Sequence, residues 1–196
     1  MSTTLRDLLG LGHTPSRLAD ATLILIDCQN TYREGIMQLE GVEDALVQAR
    51  RLLDRARALS VPVIHIQHDA GEGSPYDIRA RIGQIADIVA PVEGETVITK
   101  HYPNSFCATT LDEVLKAQNV KNIVLAGFMT HMCINSTAHG GFNLGYAPTV
   151  VANATATRAL PGADGKLIPA SQVHAAALAA TRDLYAAIAT DVDEVI

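Results

Sequence analysis

Asp27, Lys100 and Cys133 are of types that together can do covalent chemistry, and each stands where a separate apolar or β-rich run ends. A thiol is a strong nucleophile only as thiolate. With a free pKa of about 8.5, it needs a base and a cationic neighbour to act near neutral pH. Cys133 follows the run 123–129 (IVLAGFM), and Thr130 is placed to cap a helix that carries the thiol in its first turn. First-turn amides have no partner within the helix, and the helix dipole adds positive charge, so a thiolate is favoured there. The same pattern also fits a small buried hydrophobe, which is what most cysteines are. His131 is close in sequence, but side chains two apart on a helix diverge by about 200°, which leaves it a poor base for Cys133. His139 lies nearly two turns further on, and His65 and His174 read as packing or helix-surface residues.

The elements that must position these residues alternate between strand and helix. Residues 21–27 (ATLILID) and 61–67 (VPVIHIQ) read as strands joined by an amphipathic helix over 42–60. A third strand over 95–100, a helix over 111–118, a fourth strand over 123–129 and a helix over 131–144 follow. A fifth strand over 147–152 and an alanine-rich closing helix over 171–189 complete the set, and the last residues up to Ile196 supply a short edge strand. This order predicts an α/β fold with three αβα layers and a doubly wound, mostly parallel, Rossmann-like sheet. Active residues of such a sheet gather beyond the carboxyl ends of its strands. Asp27 ends the first strand, Lys100 ends the third and Cys133 follows the fourth. Each alone has a plain explanation as loop cap, solvated strand end or core, but together they make a carboxylate, cation and thiol at one edge.

Composition bounds the partners. The 196 residues are 48% hydrophobic with no low-complexity stretch, which predicts one domain over 1–196. Three cysteines without an even framework, no charged-then-apolar leader and no long apolar run predict a cytoplasmic protein without membrane contact. The net charge of −6 comes with no basic stripe, which argues against nucleic acid. Arg50, Arg51, Arg55 and Arg57 cluster on the helix over 42–60, where a solvated outer face explains them.

Three ordered motifs carry a family resemblance over most of the chain: Leu25–Asn30 (LIDCQN), Thr99–Lys100 with Ser105–Phe106, and Gly127–Ile134 (GFMTHMCI). The chain resembles the isochorismatase-like cysteine hydrolases, which include nicotinamidases, N-carbamoylsarcosine amidase and isochorismatase. The resemblance implies an Asp27, Lys100, Cys133 triad and a cis peptide at Phe128–Met129. On it rests a hydrolase of a small amide or carbamoyl compound working through a thioester, with the amides of Met129 and Cys133 as oxyanion hole. It also implies a homodimer or homotetramer.

The nicotinamidases' D-x-H pattern is missing from His65–Gly71 (HIQHDAG), and adjacent strand residues His68 and Asp69 point apart. No metal and no cofactor are therefore expected. Substrate contacts are expected from the loops after the strands: Asn30, Tyr32, Gln67, His68, Tyr102 and Phe106, with His131 and Ile134 beside the thiol. The segment 69–76, with its glycines and Pro75, reads as a lid or a subunit contact. Cys28 should face away from Asp27 into the core, and Cys107 reads as a bystander rather than a redox partner of Cys133. Two other functions stay open: a vinyl-ether hydrolase of the isochorismatase type, which needs no thiol, and a redox-sensing or non-catalytic member that retains a reactive thiol.

Overall fold

A computed structural model describes residues 3–196. After a short helix α1 (Leu5–Leu8) come β1 (Thr22–Ile26), α2 (Val42–Leu59), β2 (Val63–His68), β3 (Thr96–Lys100), α3 (Leu111–Ala117), β4 (Asn122–Phe128), α4 (Asn135–Asn143) and β5 (Ala147–Ala156). A two-stranded ribbon, β6 (Leu160–Pro161) with β7 (Leu167–Ile168), precedes α5 (Ala170–Leu184) and β8 (Ala187–Ala189). The six-stranded sheet runs β3-β2-β1-β4-β5-β8, with every pair parallel. This is the doubly wound α/β sheet that the alternation of runs predicts.

Both faces of the sheet are covered, which is why β1 is a continuous apolar run instead of an alternating one. Leu23 and Leu25 pack on one side with Ala45, Leu46, Ala49, Leu52, Leu53 and Ala56 of α2, whose spacing of three and four makes one buried stripe. Ile24 and Ile26 pack on the other with Leu111, Leu115 and Ala138 of α3 and α4. Arg50, Arg51 and Arg55 lie on the exposed face of α2, where Arg50 pairs with Asp54 and Arg51 with Asp193, whereas Arg57 departs from the expected solvated face and turns, half-buried, to Glu95.

The C-terminal elements correct the sequence reading. The alanine-rich helix stops at Leu184, and Ala187–Ala189 leaves helical geometry to pair with Thr149–Val151 at the sheet edge. Alanine favours helix locally, but unpaired edge groups of β5 and buried Ala187 and Ala189 outweigh that preference. The edge strand therefore lies inside the stretch read as helix, and the final residues form a 3-10 turn, Val192–Glu194, capped by Asp191.

The reversal of strand order falls between β1 and β4. Asp27 follows one of these strands and the Cys133 segment follows the other, so both stand at the crevice where such sheets bind ligands.

Candidate active site

Beyond Ile26 the chain turns sharply. Asp27 adopts a left-handed backbone with φ of 52°, which Asp tolerates better than most side chains. Its N–H stays tied to the Ile66 carbonyl at 2.9 Å, and its own carbonyl accepts from the Gln29 N–H at 2.7 Å. The neighbouring β4 reaches the same level through Gly127, at φ 114°, where a side chain would meet the Ile26 carbonyl oxygen at 2.0 Å. Only glycine permits this approach of β4 to β1.

Lys100 comes from the edge strand β3 and extends inward, fully buried. Its Nζ lies 2.7 Å from Asp27 Oδ2, 3.4 Å from Cys133 Sγ and 3.2 Å from His68 Nδ1. The carboxylate and the thiol therefore cannot be farther apart than the sum of the first two distances. Cys133 is 5% exposed.

The local geometry around the thiol differs from the sequence expectation. Thr130 caps nothing: its hydroxyl hydrogen-bonds with His174 Nδ1 at 3.0 Å. The chain instead makes a wide π turn over Thr130–Ile134, with the Ile134 N–H donating to the Met129 carbonyl at 3.2 Å, and only then enters α4. Such turns recur at functional sites. The Phe128–Met129 peptide bond is cis.

Electrostatics also correct the expectation of a resting thiolate. Burial, then the adjacent Asp27 charge, pushes the Cys133 thiol up to about 12, against the opposing pull of Lys100. Burial likewise raises Asp27 above the ordinary carboxylate range although Lys100 and the Cys133 thiol act to lower it. Among the described residues, no other donor is aligned on either Asp27 oxygen. A proton lost to water would leave two buried anions side by side, whereas one passed from sulfur to carboxylate keeps a single negative charge beside Lys100.

Cys133 opens into a cavity of about 120 Å³ lined by Tyr32, His68, Tyr76, Pro103, Met129 and Met132. Tyr32 packs edge-on against Phe128 and Tyr76, with ring centroids 5.6 and 5.8 Å apart, and Tyr76 meets the His68 ring at 5.1 Å. Of the substrate contacts expected from sequence, Tyr32 and His68 reach this cavity and six others do not. Asn30 and Gln67 use their side-chain amides to hold the Arg81 and Gly83 carbonyls, and line a separate cleft of about 560 Å³. Gln67 precedes His68 on β2, so strand alternation turns it to the opposite face. Tyr102 is exposed, Phe106 stacks on Tyr146, His131 bonds to the Thr157 hydroxyl, and Ile134 is core.

Sequence reasoning missed Tyr76, Pro103 and Met132 as wall residues. Tyr76 ends the glycine-containing segment singled out as a lid, which was the available signal. It also missed the task of Gln29, which is fully buried. The Gln29 amide donates to the His68 carbonyl at 2.9 Å and accepts from the His68 N–H at 2.9 Å, clamping the end of β2. His68 and Asp69 do not converge: the Asp69 carboxylate accepts from the Gly71 N–H. Cys28 is buried in the α2-side core, and Cys107 is exposed.

The family model of the isochorismatase domain matches residues 21–193. The chain belongs to the isochorismatase family. Members of this family are hydrolases. Among relatives, the secreted isochorismatase effector Isc1 of Verticillium dahliae is 33% identical over 96% of this chain and 97% of its own. The ureidoacrylate amidohydrolase RutB of Stutzerimonas stutzeri is 28% identical over 71% of each chain. Among solved structures, an isochorismatase from Pseudomonas putida KT2440 superposes with a TM-score of 0.96 at 36% identity, covering all of both chains. Among the described residues, no helix is long and apolar enough to cross a membrane.

Proposed function

We propose that this isochorismatase-family protein hydrolyses the C–N bond of a small amide or carbamoyl compound through a thioester on Cys133. The observation that carries the reading is one buried ammonium, Lys100 Nζ, within 2.7 Å of a carboxylate and 3.4 Å of a thiol at the wall of a small cavity. The similarity to a ureidoacrylate amidohydrolase supports a C–N substrate.

In this reading Asp27 takes the Cys133 proton as sulfur attacks the carbonyl carbon, so charge moves between two sites already facing Lys100. The N–H groups of Met129 and Cys133 receive the oxyanion, each worth on the order of 3 kcal/mol. The raised carboxyl of Asp27 then returns the proton to the leaving nitrogen, the C–N bond breaks and ammonia or an amine departs. Water enters, Asp27 takes its proton, the C–S bond breaks and the thiol is restored with release of the acid. A carboxyl raised by burial suits both halves, because its carboxylate is a stronger base toward thiol and water and its acid still protonates the more basic leaving nitrogen.

A panel of small amides and ureido compounds, scored by ammonia release and by intact mass, tests this. An acyl adduct on Cys133 with turnover is the expected outcome. Turnover of a vinyl ether that survives Cys133→Ala, or a thiol that only oxidises, would replace the amide reading.

A further inference from the structure

We propose that His68 is a positioning residue of this site: as a neutral imidazole it accepts the third hydrogen bond of the Lys100 ammonium and so fixes the direction from which that cation faces Asp27 and Cys133. The inference deepens the reading of Cys133 as the reacting thiol and is independent of which substrate it attacks.

An ammonium has three protons and no acceptor capacity. Around Lys100 Nζ stand three acceptors, Asp27 Oδ2 at 2.7 Å, His68 Nδ1 at 3.2 Å and Cys133 Sγ at 3.4 Å. Because the ammonium can only donate, Nδ1 must carry the lone pair and Nε2 the proton, which fixes the tautomer. The ring cannot drift from this task. Gln29 holds the His68 backbone through both its N–H and its carbonyl, and Tyr76 packs edge-on against the imidazole. The register of β2 with β3 sets His68 directly beside Lys100.

The charge state also agrees. Burial, then Lys100 and His101, brings His68 down to about 4 against the pull of Asp69, so the imidazole remains an acceptor at neutral pH. The groups facing His68 are thus Lys100, His101, Asp69 and Tyr76, and those facing Lys100 are Asp27, Cys133 and His68. A buried ammonium with one proton unmatched would lose charge or turn toward a single anion, and the shared geometry at carboxylate and sulfur would be lost.

The test compares His68→Asn, whose amide oxygen can stand near the Nδ1 position, with His68→Ala, which has no acceptor. Both are made in a Cys107→Ser background so that alkylation by iodoacetamide, followed by intact mass, reports Cys133. At one fixed pH near neutrality His68→Ala should slow alkylation about tenfold, the size expected when one charge-assisted hydrogen bond to the cation is lost. His68→Asn should restore the rate to that of the parent. On a substrate found by the amide panel, His68→Ala should lower kcat by about a hundredfold with KM nearly unchanged, as for a group acting on the reacting set. Identical alkylation rates in all three proteins overturn the proposal, even if amides are hydrolysed. A slowing of alkylation rescued by Asn supports it even if every amide fails. A rise in KM alone, alike in Ala and Asn, overturns it in favour of a direct substrate contact.

Discussion

Strand β3 has a carboxylate ion pair at each end, one half-buried and one fully buried, and the two differ in how well their acids are satisfied. Before its first residue, Glu95 receives a two-pronged bond from Arg57 at 2.7 and 2.9 Å, the Val92 N–H at 3.0 Å and a contact with His65 Nε2 at 2.9 Å. Burial there acts to raise the acid, but those donors outweigh it and hold Glu95 down to about 2. At its last residue, Lys100 faces Asp27, which has that ammonium, the thiol and, among the described residues, no other aligned donor, so burial prevails and the acid is raised. A satisfied acid is inert and ties α2 to the sheet. A starved acid can exchange a proton with its neighbour, and the fold places the thiol beside the starved one.

The sharpest way to break this comparison is to neutralise the starved acid. Asp27→Asn, and separately Cys133→Ala, should each abolish turnover, a fall of about 10⁴-fold or more. Circular dichroism and thermal unfolding should show both variants folded, and activity retained in both would end the proposed mechanism. Lys100→Met should come next, with kcat lower by about 10²–10³-fold through lost charge stabilisation in a water-poor site. In that variant alkylation of Cys133 at a fixed pH near neutrality should slow, and an unchanged rate would remove Lys100 from the site's electrostatics.

The opposite end should respond in stability. Glu95→Gln is expected to cost about 2 kcal/mol of unfolding free energy at neutral pH, from the shift of its acid discounted for partial exposure. Its kcat should stay within about twofold, since it lies at the far end of β3 from Lys100. Because Glu95 is depressed when folded, its contribution is present above the unfolded value of 4.5 and is lost as pH falls toward about 2. Urea unfolding from pH 6 to pH 2.5 should show that slope in the parent and a flatter one in Glu95→Gln.

The mildest test is the pH profile of kcat/KM. Its acid limb should lie above the ordinary value of 3.8, because Asp27 is raised and must be unprotonated to take the thiol proton. No alkaline limb from Cys133 is expected below about 12. An acid limb at or below 3.8 would mean that Asp27 is not the base.

Much of this arrangement was legible from local signals. Continuous apolar runs separated by helical spacing mark a two-sided parallel sheet, and the rule that ligands bind beyond strand ends singles out Asp27, Lys100 and Cys133. Local signals failed where the partner is distant in sequence. Ala187–Ala189 became strand because β5 offers an edge, and Thr130 left the cap position to bond with His174 of α5. Gln67 and His68 are adjacent on one strand, yet the pleat turns one to the Gly83 carbonyl and the other to Lys100.

From its sequence alone, this chain determines the succession of elements and the residue types at their ends, since both follow from periodicity and the residue-by-residue chemistry of the backbone. The protonation state of the thiol, the partners of the ammonium and the walls of the cavity were decided only by tertiary structure. Burial and the distance between charges are properties of segments far apart in the chain, and they exist only once β1, β3 and β4 have been brought to one edge.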